Sequence, residues 1–243
     1  SKTVKGNSTS ADDQFTFTVT LTDKDGKPVS GTFGEHTFVD GKYTFTLKGN
    51  ESEKFADLPI GVTYTVTEAP ALGYVQTEPT APATGVISTE PSVVSFTNER
   101  WAIDIEKKAE GLADGTAVAP KVTVGDVTIE KLPSDATKPV RVYVTPGETY
   151  KVAETGAEVD GYTLLSAILS GDEALLITND PMEFTFPEDG MTTVPELTLI
   201  NSYGRGSLVI SKTISGNATN PNDVFTFSVT LTPPDGKPLA DSY

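Results

Sequence analysis

The chain has 243 residues, enough for about two domains with real hydrophobic cores, and it contains no cysteine. Disulfides and thiolate metal sites are therefore excluded. Its 18 basic residues face 34 acidic ones, and the formal charge of −16 argues against nucleic acid and anionic membranes as partners.

In chain order, the local signal is strand throughout. Phe15, Phe17, Val19 and Leu21 alternate with Thr16, Thr18, Thr20 and Thr22, a period of two that gives one apolar and one polar face. Tyr43, Phe45 and Leu47 repeat the pattern against Thr44 and Thr46. Asp25-Gly26, Asp40-Gly41, Pro146-Gly147 and Asp189-Gly190 supply turns, and no long helical periodicity appears. Short strands at this spacing predict an all-β fold of tandem β-sandwiches.

Residues 211–243 match residues 1–33 at a constant offset of 210 without a gap: Ser1-Lys2-Thr3 returns as Ser211-Lys212-Thr213, Gly6-Asn7 as Gly216-Asn217, and Asp25-Gly26-Lys27-Pro28 as Asp235-Gly236-Lys237-Pro238. The expected organisation is a first sandwich over 1–99, a second and divergent one over 100–204, and the opening strands of a third over 205–243. Trp101 is expected to plug the joint between the first two. No leader, membrane run or complete LPxTG-like sorting signal appears, since Leu58-Pro59-Ile60-Gly61 lacks the threonine; the expectation is an internal piece of a longer chain.

The chemistry lies in where polar residues fall on the strand faces. In Ile103-Asp104-Ile105-Glu106-Lys107-Lys108 the pleat places Lys107 on the face of the two isoleucines. Leu208, Ile210 and Lys212 repeat that arrangement in the third copy, and Lys2 is the matching residue of the first. Tyr64, Val66 and Glu68 share a face, as do Tyr150, Val152 and Glu154. At the domain ends Asn98 follows Val94 and Phe96, and Asn201 follows Leu197 and Leu199. Each complete domain thus aims one Lys, one Glu and one Asn inward, with Lys and Asn 96 residues apart in the first and 94 in the second.

Two explanations fit such a trio. The ordinary one is a buried ion pair with a hydrogen-bonded amide, or strand-end residues that reach solvent; a lone buried charge is rare, and a buried pair adds little stability. The other is reaction. A lysine amine attacking an Asn carboxamide forms an amide and releases ammonia. The amine must be neutral, and burial lowers its pKa from about 10.4 by up to roughly 3–5 units. A protonated Glu then polarises the carbonyl and carries the proton to the leaving nitrogen. The recurrence of the trio in both complete domains favours this chemistry.

The segment Tyr64-Thr65-Val66-Thr67-Glu68-Ala69-Pro70-Ala71-Leu72-Gly73-Tyr74 resembles the E-box of Gram-positive major pilins and of collagen-adhesin B-type (Ig-like) domains. Tyr150 to Tyr162 is a looser version that keeps Glu154 and Gly161-Tyr162 but lacks Ala-Pro. Phe15 to Leu21, the Asp25–Pro28 turn and Phe96-Thr97-Asn98 resemble the same family. The resemblance implies tandem Ig-like sandwiches and intramolecular isopeptide bonds between Lys2 and Asn98, helped by Glu68, and between Lys107 and Asn201, helped by Glu154. Lys212 would be the unpaired crosslink lysine of the third repeat. It further implies an extracellular, cell-wall-attached fibre of a Gram-positive bacterium, with neighbouring copies or domains as partners and a host ligand elsewhere in the full-length protein. The absence of a pilin-type Tyr-Pro-Lys segment favours the stalk of a long adhesin over a polymerising subunit.

No cofactor, metal or external substrate is expected, and the only catalysis is a single-turnover self-crosslink. His36, the only histidine, is expected at the surface or in a loop. Asp23-Lys24-Asp25-Gly26 reads as a hairpin turn rather than a calcium loop. The acceptor patterns at Asn7, Asn50 and Asn217 carry little weight in a bacterial protein. The alternative function is a ligand-binding adhesin module recognising a host protein or glycan, with the Pro- and Thr-rich stretch from Gln76 to Thr89 as its binding loop.

Overall fold

A computed structural model describes residues 1–170, 175–176, 182–218, 220 and 222–230. Asp235-Gly236-Lys237-Pro238 and Thr219, on which part of the repeat and one acceptor pattern rest, lie outside them. The chain packs as two compact units. One gathers Ser1–Ile105, Pro139–Lys151 and Glu183–Leu197; the other gathers Glu106–Lys138, Val152–Met182 and Thr198–Tyr243.

All regular structure among the described residues, short turns aside, is strand. The first nine are β1 (Lys2–Lys5), β2 (Gln14–Thr22), β3 (Gly31–Phe33), β4 (His36–Phe38), β5 (Lys42–Lys48), β6 (Thr63–Glu68), β7 (Val75–Glu78), β8 (Ala83–Val86) and β9 (Phe96–Glu99). They form a four-stranded sheet in the order β5-β2-β6-β8, a three-stranded sheet β1-β9-β7 and the hairpin β3-β4. The alternation seen in the sequence sets the burial. Phe15, Phe17, Val19 and Leu21 of β2 are all buried, and the intervening threonines face out, where Thr18 and Thr44 meet Oγ1 to Oγ1 at 3.4 Å. Phe17 stacks on Phe45 of its own sheet at 5.5 Å and meets Phe96 of the other sheet edge-on at 5.1 Å, so the two sheets close on one core. The Asp40-Gly41 turn has φ of 49° and 72°, the left-handed pair that a two-residue hairpin needs.

β1 and β9 run parallel, with Lys2 opposite Phe96 and Val4 opposite Asn98. Opening and closing strands of the first repeat are therefore neighbours. Side chains of Lys2, Val4, Phe96 and Asn98 share the inward face.

The remaining strands are β10 (Trp101–Glu110), β11 (Lys121–Val124), β12 (Val127–Ile129), β13 (Val140–Val144), β14 (Thr149–Thr155), β15 (Thr163–Ser170), β16 (Leu175–Leu176), β17 (Met182–Thr185) and β18 (Glu196–Gly204). Their sheets are ordered β13-β10-β18-β15-β16 and β12-β11-β14-β17. β10 and β18 are again hydrogen-bonded neighbours, and β14 pairs with β11 so that Glu154 lies opposite Val122.

Three expectations change. His36 is buried in β4, its Nε2 lies 2.9 Å from Glu53 Oε1, and its ring packs on Tyr43 and Phe55. A three-residue strand is too short to reveal its face by alternation. The stretch Gln76–Thr89 carries most of β7 and all of β8 rather than a free loop; its prolines mark the turn between two short paired strands. Leu208, Ile210 and Lys212 are exposed and lie in no strand, because nothing among the described residues pairs with that segment to bury one face. Two local features of the repeat persist there. Gly216 has φ 127° as Gly6 has 123°, and Lys212 Nζ sits 5.0 Å from the Phe225 ring as Lys2 Nζ sits 4.2 Å from Phe15. The Asp23 carboxylate accepts the Asp25 and Lys27 backbone N–H groups, closing the expected turn.

Within the first unit the chain after β1 is clipped to the start of β10. Asn7 donates to the Ala102 and Thr193 carbonyls, both at 3.1 Å, and accepts from Ala102 N–H at 2.9 Å. Gly6 allows the approach, since a Cβ there would stand 1.9 Å from the Arg100 carbonyl oxygen. Trp101 packs beside Phe186 at 6.2 Å, against Gly190, and donates its indole N–H to Glu99. Asn7→Ala is expected to destabilise this unit by about 1–3 kcal/mol, measured by chemical denaturation, because two carbonyls and an N–H lose their partner together.

Candidate functional site: two buried Lys–Glu–Asn clusters

The structure brings each expected trio together. Lys2 comes from β1, Glu68 from the end of β6 and Asn98 from β9. The pairing of β6 with β2 sets Glu68 opposite Phe17, on the apolar face. Lys2 Nζ contacts Glu68 Oε1 at 3.1 Å and Oε2 at 3.0 Å, and Asn98 Nδ2 donates to the same Oε1. One carboxylate thus touches both prospective reactants.

Lys107 of β10, Glu154 of β14 and Asn201 of β18 repeat the arrangement. Lys107 Nζ lies 3.1 Å from Glu154 Oε2 and 3.5 Å from the Leu199 carbonyl oxygen. Asn201 Nδ2 donates to Glu154 Oε1. The lysines are 1% and 2% exposed and the asparagines 3% and 0%, so both clusters are shut off from bulk solvent.

Burial lowers the pKa of Lys2 and of Lys107 below the ordinary lysine value, and the neighbouring carboxylate offsets this only in part. Apolar walls are the cause: the Phe15 ring lies 4.2 Å from Lys2 Nζ, and Ile103 and Ile105 precede Lys107 on its face. The carboxamide oxygens Asn98 Oδ1 and Asn201 Oδ1 are buried without a hydrogen-bond partner. An orphaned carbonyl oxygen raises the cost of the amide's present state, and it leaves that oxygen available to a proton donor. Sequence reasoning missed one neighbour. Tyr203, two residues beyond Asn201 on the same face of β18, places its hydroxyl 3.3 Å from Asn201 Nδ2. Extending the run Leu197, Leu199, Asn201 by one more step finds it.

The family model described as a domain of unknown function, DUF7601, matches residues 1–100 and 206–243. The chain belongs to the DUF7601 family. The two matched stretches hold the segments related by the offset of 210, so this DUF7601 chain carries the family twice, with residues 101–205 between. Over 78 residues it is 44% identical to the pilus tip adhesin Cpa of Streptococcus pyogenes, covering 30% of this chain and 12% of that protein. A part of the chain is thereby related to a Gram-positive pilus protein, of whose length it spans only a small share. Among solved structures, the pilus-presented adhesin Cpa is 28% identical with a TM-score of 0.37, over 40% of this chain and 26% of that one. The major pilin T-13 of Streptococcus pyogenes is 18% identical with a TM-score of 0.28, over 84% and 95%.

The lowered lysines can be read directly in protein that carries Asn98→Ala and Asn201→Ala, where both amines stay free. Lysine NMR there should show two amines titrating below the rest. In the window between their shifted values and 10.5 the unfolded chain holds more protons, so stability should rise with pH across it. A uniform titration, with every lysine near 10.5, would contradict the burial argument.

Proposed function

We propose that this chain is a stalk segment of a Gram-positive pilus or surface adhesin, made of sandwiches that crosslink themselves. The organisation proposed is 1–99, 100–204 and the opening of a further repeat over 205–243. In the first two, Lys2 joins Asn98 and Lys107 joins Asn201. The observation that carries this is the double occurrence of a carboxylate touching both a buried lysine amine and a buried Asn carboxamide.

The step balances without a cofactor. Glu68 or Glu154 takes a proton from the ammonium, leaving a neutral amine. The neutral amine adds to Cγ. As the Cγ–Nδ2 bond breaks, the carboxylic acid protonates the departing nitrogen, which leaves as ammonia. The carboxylate takes the second Nζ proton, so the site ends as a neutral secondary amide beside a carboxylic acid. Strand pairing supplies the proximity before any chemistry begins. The bond would tie opening strand to closing strand, so tension would pass through it rather than through the ladder of β1 and β9. By analogy with a disulfide closing a loop of this size, the entropic stabilisation is about 4–5 kcal/mol. Fibre neighbours are the natural partners, and an extracellular, wall-attached setting suits a crosslink that reductants do not break. Lys212 takes the lysine role in the further repeat.

The second reading, a ligand-binding adhesin module, is favoured by one feature: an open cavity of about 450 Å³ in the first unit, lined by Phe17, Phe45, Leu47, Phe55 and Val66.

The intact mass of the denatured protein tests the proposal. It should fall short of the sequence mass by two ammonias, and Glu68→Ala and Glu154→Ala should each restore one. A full sequence mass would overturn the crosslinks and move the ligand-binding module to the front.

A further inference from the structure

The two clusters differ at one position. Tyr203 is buried, and its hydroxyl donates to the Ala157 carbonyl oxygen at 2.7 Å. That uses the phenol's single proton, so towards Asn201 the oxygen acts as acceptor, 3.3 Å from Nδ2. The two N–H groups of Asn201 therefore have two acceptors, Glu154 Oε1 and Tyr203 Oη. In the first cluster the residue two beyond Asn98 is Arg100, whose guanidinium turns instead to the Ser8 carbonyl and the Asp13 carboxylate. Among the described residues, Asn98 Nδ2 is held by Glu68 alone.

The lysine grips differ in the opposite sense. Lys2 meets both oxygens of Glu68, at 3.1 and 3.0 Å, whereas Lys107 meets Glu154 Oε2 at 3.1 Å and is shared with the Leu199 carbonyl. The second cluster holds its nucleophile more loosely and its carboxamide more firmly.

From this geometry we infer that Tyr203 is a positioning residue for the Lys107–Asn201 crosslink, an inference that rests on the crosslinking function above. Held from two sides, the carboxamide does not rotate about its Cβ–Cγ bond, and Cγ keeps one face towards Lys107. The proton account is unchanged: the two protons that Nζ gives up pass by way of Glu154, one to the leaving nitrogen and one kept on the carboxyl, and Tyr203 gains and loses none. Burial raises the phenol's pKa and keeps it protonated, so it remains a fixed donor to Ala157.

The test uses the whole chain and takes its first cluster as an internal clock. Protein from a short pulse of expression is incubated, and the branched peptides Lys107–Asn201 and Lys2–Asn98 are quantified over time by mass spectrometry. Tyr203→Phe, which keeps the ring and removes the hydroxyl, should slow the second crosslink about fivefold to tenfold, the worth of one hydrogen bond, and leave the first unchanged. Tyr203→His, which returns a ring nitrogen, should recover part of the lost rate. Melting Tyr203→Phe in the Glu154→Ala background, where the second crosslink is absent, checks that the unit stays folded at the incubation temperature. If it does not, the Tyr203→His rate is compared with wild type instead. An unchanged ratio of the two peptides would overturn the role of Tyr203, as would equal slowing of both crosslinks. Absence of both crosslinks from wild type would overturn the function itself; absence of the second alone would overturn only this inference.

Discussion

A lysine amine placed among apolar side chains is the constraint on which the rest of this structure turns. Removing such a charge from water costs several kcal/mol even after relaxation, and a neighbouring carboxylate recovers only part of it. Lys2 and Lys107 are both in that position, and among the described residues each has a single carboxylate for compensation. The proposed conversion to a neutral amide would remove the charge that makes the site costly, with ammonia as the leaving group. On the proposed function, the cost of holding the lysine inside would be met by ordinary apolar burial around Phe15, Phe17 and Phe96 or Ile103, Ile105 and Leu199.

Topology decides which residues meet. β1 lies beside β9, and β10 beside β18, so each Lys and Asn come from neighbouring strands while the Glu reaches them from the facing sheet. That arrangement separates the roles. The strands that would carry tension hold the groups proposed to join, and the facing sheet holds the carboxylate proposed as acid–base group. A chain without cysteine has no disulfide with which to stiffen itself.

Much of this was legible in the residues. A period of two over Phe15–Leu21, Tyr64–Glu68 and Ile103–Lys107 fixed the inward faces, and the offset of 210 gave the repeat. The trio could be assigned because each member ends or interrupts an apolar alternation, where a charge stands out. What was lost lay in strands too short to alternate. His36 sits in three residues of β4, and β7 and β8 are broken by proline-bearing turns. Tyr203 was hidden for a different reason: an aromatic residue on an inward face looks like core, and only the position of Ala157 from another part of the chain shows that its hydroxyl is engaged. Lys212 shows the converse limit. Its sequence setting matches Lys107, yet a face is buried only where a second sheet covers it.

The central claim is that folding joins specific lysines to specific asparagines, and peptide mapping of the purified protein addresses it most directly. After complete digestion, fragmentation should identify one branched peptide containing Lys2 and Asn98 and another containing Lys107 and Asn201, each lighter by one ammonia than its two parts. Recovery of the same four segments only as separate linear peptides, with free lysines and intact asparagines, would contradict the account.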